Sequence, residues 1–193
     1  AKTAGFDGVE IHGANGYLLD QFLRDGTNKR QGPYGGSIEN RARLMLEVIE
    51  VICQVWESHR VGLRISPLNS YNDMVDSDPI GLTQWLANRL NDYNLAYLHL
   101  MRGDILQKQK GDILTPARIH YKGILIGNQG YTAAEAESAI QEDKVDAVAF
   151  GVSFIANPDL PLRIRNKAPL NPANPATFYT SGVEGYTDYP FCS

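Results

Sequence analysis

Apolar residues recur along this chain with two periods, and their alternation predicts the architecture. Phe6, Val9 and Ile11 stand among Asp7, Gly8 and Glu10, the pattern of a short strand. Gly13 and Gly16 then permit a sharp exit into the apolar segment 17–22. Residues 24–37, rich in Gly, Asn, Lys and Arg with one Pro, read as an irregular surface excursion. Ser37 is placed to cap an amphipathic helix in which Leu44, Val48, Val51, Ile52 and Val55 recur at helical spacing. A second strand over 61–66 ends at Pro67, which cannot donate to a sheet ladder. Asp78-Pro79 opens a helix whose buried stripe is Leu82, Trp85, Leu86 and Leu90. A third strand is expected over 95–100, and Thr115-Pro116 marks a short helix inside the less regular stretch 101–122. The fourth strand, 123–127, runs through Gly127-Asn-Gln-Gly130 into Thr132 and Glu135, which have capping-box spacing. Residues 145–151 form a fifth strand of the continuous apolar kind expected when both faces are covered. FIANPDLPLRI gives a turn and a short helix, and the Pro-rich tail 168–193 has no regular element. Trp56 and Trp85 fall on helical apolar faces and read as core.

Strands alternating with helices imply an α/β fold with a parallel sheet. A doubly wound nucleotide fold would show G-x-G-x-x-G after its first strand, and none occurs; polar residues instead mark the ends of several strands, as in a (β/α)8 TIM barrel. Eight strands close a barrel in about 250 residues. Five strands in 193 residues therefore fit the C-terminal part of one, and AKTAGFDGVE reads as a helix end entering a strand in mid-fold.

Composition narrows the field. With 43% hydrophobic and 21% charged residues the chain is ordinary for a globular protein. Its net charge of −4 and dispersed arginines give no support for a nucleic-acid partner. No apolar run reaches the roughly 18–20 residues of a membrane span, and no signal-peptide plan opens the chain, so no membrane association is expected. Cys53 and Cys192 make neither a metal spacing nor a disulfide framework, which favours a reducing cytoplasm. His59, His99 and His120 have no ligand-like spacing, so no metal is assigned. Asp20, Asp25 and Glu39 do not make a persuasive glycosidase pair.

The chemistry concentrates where the first strand ends. His12, Asn15 and Tyr17 fall within six residues, close enough for three polar side chains to converge on one small ligand. A histidine at a strand end also serves as a hydrogen-bonded structural residue, and Asn beside Gly is common turn material. The stretch IHGANGYLLDQFL, followed by DGTNKRQGPYGGSIENRAR, resembles the central signature of the Old Yellow Enzyme family of flavin-dependent ene-reductases. VGLRISP, ILIGNQGYT, AVAFG, FIANPDL and FYTSGVEGYTDYP extend the resemblance over nearly the whole chain, the last being most similar to the N-ethylmaleimide reductase branch.

That resemblance implies that residues 1–193 are the C-terminal portion of a single flavin-binding barrel, about strands four to eight. It implies an FMN cofactor, NAD(P)H as reductant, and a small-molecule enone, maleimide or nitro substrate. His12 and Asn15 would hold the substrate's carbonyl or nitro oxygen, and Tyr17 would protonate the α-carbon. Arg64 would lie against the flavin N1 and O2 edge, with a salt bridge across strand ends as the alternative, and Asn128, Gly130 and Gly151 would sit at the phosphate end of FMN. Phe150-Gly151-Val152 departs from the family's F-G-R. The lost arginine contact would cost on the order of 1.5–3 kcal/mol, with Ser153 and Arg163 as candidate replacements. Two other readings stand beside the enzyme. The chain could be a truncated or split barrel fragment without autonomous catalysis, working through self-association or a missing N-terminal half; it could also be a phosphate-binding barrel of unrelated chemistry.

Overall fold

The structure is a computed structural model that describes residues 1–192; Ser193, the last residue of the expected irregular tail, lies outside them. Five parallel strands, β1 (Val9–Gly13), β2 (Val61–Ile65), β3 (Tyr97–Met101), β4 (Leu125–Asn128) and β5 (Ala147–Ala149), are hydrogen-bonded in chain order. Helices α1 (Leu18–Leu23), α2 (Ile38–Val55), α3 (Pro79–Leu90), α4 (Leu114–His120) and α5 (Ala133–Gln141) connect them, and α6 (Val152–Ala156) and α7 (Leu160–Asn166) follow β5. A doubly wound sheet reverses its strand order at a switch point, whereas a barrel adds each strand beside the last. The order here is the barrel's.

Local chemistry starts the longer helices where the sequence places them. Ser37 accepts a hydrogen bond from Asn40 N, and Asp78 accepts one from Gly81 N ahead of Pro79. Thr132 and Glu135 form the reciprocal capping box at the start of α5.

The strand register sorts side chains into two faces. Val61, Leu63 and Ile65 of β2, Leu98 and Leu100 of β3 and Leu125 of β4 are all at most 1% exposed. They share one core with Met45 and Ile49 of α2, Leu82, Leu86 and Leu90 of α3, and Ala117 of α4. The intervening positions form the other face: Glu10, Gly62 and Tyr97 in one row, His12, Arg64, His99 and Ile126 in the next, and Met101 and Asn128 beyond.

Three expectations need correction. Ala147, Val148 and Ala149 are only half-buried, not covered on both faces, because among the described residues β5 pairs with β4 alone. The excursion 24–37 is not wholly superficial: Arg24 is fully buried and Asn28 nearly so, Arg24 donating to Ser66 O and Asn28 to Phe22 O and Tyr34 O. Trp56 is buried at the end of α2, but Trp85 is half-buried beside the exposed flank of α3.

Candidate functional site

β1 delivers His12 to the open face, and the chain then turns through Ala14, Asn15 and Gly16 before α1 begins. Asn15 has φ 58° and Gly16 φ 75°, both in the left-handed region. At Gly16 a Cβ would lie 2.6 Å from Cβ of Asn72, so the turn needs a glycine for both conformation and space. Asn15 N donates to Ser66 Oγ (2.8 Å), Asn15 O accepts from Asn72 Nδ2 (3.0 Å), and Gly16 N donates to Asp20 Oδ2 (2.9 Å). Beneath the turn, Asp20 is 1% exposed, and burial pushes its carboxyl up to about 6 despite the Arg24 guanidinium 3.7 Å away.

This frame brings the His12 and Tyr17 rings to 5.4 Å between centroids at 56°, with Tyr17 itself 56% exposed. Burial, and then the Arg64 charge, lower the His12 pKa below its ordinary 6.5, so the imidazole is neutral at pH 7. In that form one ring nitrogen donates and the other accepts.

Arg64 follows His12 across the sheet in register. Its Nη2 donates to Asn128 Oδ1 (2.8 Å), and Asn128 Nδ2 donates to Ala149 O (2.9 Å). Arg64 Nε is buried with no hydrogen-bond partner among the described residues. Gly130 (φ 69°) lies on the loop after β4, and Gly151 precedes α6 after β5. Thus His12 near the end of β1 is joined by Asn15 and Tyr17 on the turn that follows, Arg64 of β2 and Asn128 of β4 touch across β3, and Gly130 and Gly151 sit on the last two loops. Val152 is 55% exposed as the first residue of α6. Arg163 cannot replace a donor there: it is 4% exposed and donates to Asp159 (2.7 Å), Pro169 O and Pro190 O. Ser153 is half-buried, and its carbonyl accepts from Asn157 Nδ2.

Sequence reasoning overlooked the support beneath these residues. Glu10 Oε2 accepts from His99 Nδ1 at 2.9 Å, reaching across β2. Burial works to raise the Glu10 pKa, but the His99 hydrogen bond and charge, with a Tyr97 hydrogen bond and the Arg64 charge, together more than offset it, so the carboxyl stays below its ordinary value. Beside this crossing the Tyr97 ring lies over Gly62, where a Cβ would come within 2.3 Å of it. The available signal was polar residues two apart, Glu10 with His12 and Tyr97 with His99, inside otherwise apolar strands. Asn69, fully buried after β2, donates from Nδ2 to Asn15 Oδ1 (2.9 Å), and no local pattern announces it.

A parallel β/α sheet wired in chain order, with polar residues converging at the carboxyl ends of its strands, defines a part of a (β/α)8-barrel enzyme scaffold. The chain belongs to the NADH:flavin oxidoreductase / NADH oxidase family, whose profile matches residues 1–171. It is 50% identical over 99% of its length to a probable flavin mononucleotide-dependent alkene reductase of Leishmania infantum, covering 52% of that protein. It is 44% identical over 98% of its length to 12-oxophytodienoate reductase 2 of Arabidopsis thaliana, covering 52% of it. Among solved structures, the old yellow enzyme of Trypanosoma cruzi superposes with a TM-score of 0.97 at 50% identity, over 98% of this chain and 51% of that one. Morphinone reductase superposes with a TM-score of 0.94 at 44% identity, over 99% and 52%. The chain spans about half the length of the relatives it matches. The expected Old Yellow Enzyme kinship and partial barrel are both borne out.

Proposed function

We propose that the protein is an FMN-dependent ene-reductase, drawing hydride from NAD(P)H to reduce the activated C=C bond of a small enone, maleimide or nitro compound. The observation that carries this reading is the grouping of His12 near the end of β1 with Asn15 and Tyr17 on the turn that follows it, and Arg64 in register with His12 on the adjacent strand. FMN, when bound, supplies the reversible two-electron hydride chemistry that no side chain of this site can supply. The residues present fit such a group. Arg64 offers a fixed positive charge and a buried Nε without a partner among the described residues, which suits an acceptor-rich, anionic ring edge. Gly130 and Gly151 lie on the loops after β4 and β5, where barrels often bind phosphate, and Asn128 holds Arg64 at the edge of that region.

His12 and Asn15 donate to the substrate's carbonyl or nitro oxygen, where negative charge grows as hydride reaches the β-carbon. Neutral imidazole suits this task, since it donates without carrying a proton it would lose at pH 7. The Tyr17 hydroxyl gives its proton to the α-carbon from the exposed side of the site. Residues 1–193 act as the C-terminal part of a single barrel in a reducing cytoplasm. A second reading, a barrel fragment that needs partner strands, draws on β1 and β5 each pairing on one side only.

The test is FMN retention after desalting, followed by enone turnover. Retained flavin with turnover supports the enzyme, and Asn15→Ala and Tyr17→Phe should each lower kcat/KM by about 10²-fold or more. Protein that sheds its flavin but regains it on mixing with the complementary strands supports the fragment. Turnover unchanged by both substitutions would sink the assigned roles.

A further inference from the structure

A carboxamide can meet a ligand with either end, and the ends select opposite chemistry: NH2 seeks an acceptor, C=O a donor. The orientation of Asn15 is decided by a relay that starts at an unambiguous atom. Ile105 N–H can only donate, and it lies 3.3 Å from Asn69 Oδ1. The Asn69 NH2 therefore points the other way, where it donates to Asn15 Oδ1 at 2.9 Å. Asn69 is fully buried, so water does not compete for either end. The Asn15 backbone is already held through N to Ser66 Oγ and through O to Asn72 Nδ2. Only the side-chain torsions remain free, and Asn69 fixes them. Asn15 Oδ1 is then occupied, while its NH2 finds no acceptor among the described residues.

We infer that Asn69 is a positioning residue that sets which end of the Asn15 carboxamide meets the ligand, restricting the site to ligands that present an acceptor oxygen. This rests on the proposed role of Asn15 as a ligand-binding residue. A carbonyl, nitro or phenolate oxygen satisfies the exposed NH2, whereas an amine or ammonium brings a donor against a donor. Asn69 lies 54 residues from Asn15, on the loop between β2 and α3, so the selection is made by a residue that need not touch the ligand.

Substitution at 69 separates orientation from mere support. Asn69→Ala removes the relay and frees the carboxamide. Asn69→Asp keeps an acceptor for Ile105 N–H but turns a second acceptor toward Asn15, which favours the flipped amide with C=O outward. The experiment measures cyclohexenone Kd in the FMN-loaded, oxidised protein from the change in flavin absorbance. Melting temperature is followed in parallel. Asn69→Ala should weaken binding about 5- to 10-fold and Asn69→Asp more, about 10- to 100-fold. In an Asn15→Ala background Asn69→Ala should change Kd less than about twofold, because its only route to the ligand is gone.

A second arm needs no flavin. The side-chain 15N amide signal of Asn15, identified by its absence in Asn15→Ala, should shift in Asn69→Ala. An unmoved signal overturns the relay. So does an Asn69→Ala effect on Kd that persists undiminished in the Asn15→Ala background, which marks general support. If Asn15→Ala weakens binding but Asn69→Ala does not, Asn15 keeps its proposed role and the selection by Asn69 falls. If Asn15→Ala itself leaves Kd unchanged, the role of Asn15 falls and the selection falls with it.

Discussion

The two faces of the sheet solve different problems with alternate residues of the same strands. On the helix side, Leu63, Leu98, Leu100 and Leu125 are wholly buried, and each contributes about 1.5–3 kcal/mol by leaving water. On the opposite side, Glu10 reaches His99 across β2 and Arg64 reaches Asn128 across β3, so polar groups are joined diagonally rather than packed. Arg64 Nε and His99 Nε2 are buried without hydrogen-bond partners among the described residues, at a cost of about 1–3 kcal/mol each. Stability is thus concentrated on one face, which leaves the other free to hold reactive groups in unsatisfied states.

The sharpest way to break this contrast is Leu63→Ala. It should cost about 2–5 kcal/mol in urea unfolding, with the His12 titration unmoved. A smaller loss would mean that the helix side is not where stability resides. Charges do enter the packed side, as the Asp20–Arg24 and Arg41–Asp76 pairs, and Asp20→Asn tests that exception. It should cost about 1–3 kcal/mol at pH 4, where the folded carboxyl is protonated and neutral, by replacing an oxygen that accepts from Gly16 N with an amide that can present NH2 there. The folded pKa of Asp20, about 6, lies above the ordinary 3.8, so the folded state holds this proton more tightly. The carboxyl's contribution therefore falls as pH rises from about 4 through 6 and is flat above. The stability difference between wild type and Asp20→Asn should follow that course. The smallest effect is electrostatic: in Arg64→Met the His12 titration should move upward by NMR, since a neighbouring positive charge no longer opposes protonation. An unmoved titration would mean that the two groups do not sense each other across the strand ends.

What the sequence disclosed was largely local. Ser37, Asp78-Pro79 and Thr132 with Glu135 announced their helices because a cap and its partner lie three residues apart. His12, Asn15 and Tyr17 were visible together because one turn carries them. Burial created by distant segments was not visible. Arg24 looked like a surface residue within a polar excursion, yet its guanidinium donates to Ser66 O, 42 residues away. The half-buried state of β5 follows from pairing on one side, which its apolar run does not encode. Arg163 looked free to reach the Gly151 loop, but the carbonyls of Pro169 and Pro190 claim it.

Gly62 carries one last consequence. Glycine is a poor strand residue, costly in chain entropy, yet any side chain at 62 would strike the Tyr97 ring lying over it. The two positions are therefore one choice in design terms: a larger residue at 62 requires a smaller one at 97, and Glu10 then loses its hydrogen bond to Tyr97 while keeping the one to His99. A library that varies them independently spends most of its members on combinations that cannot fit.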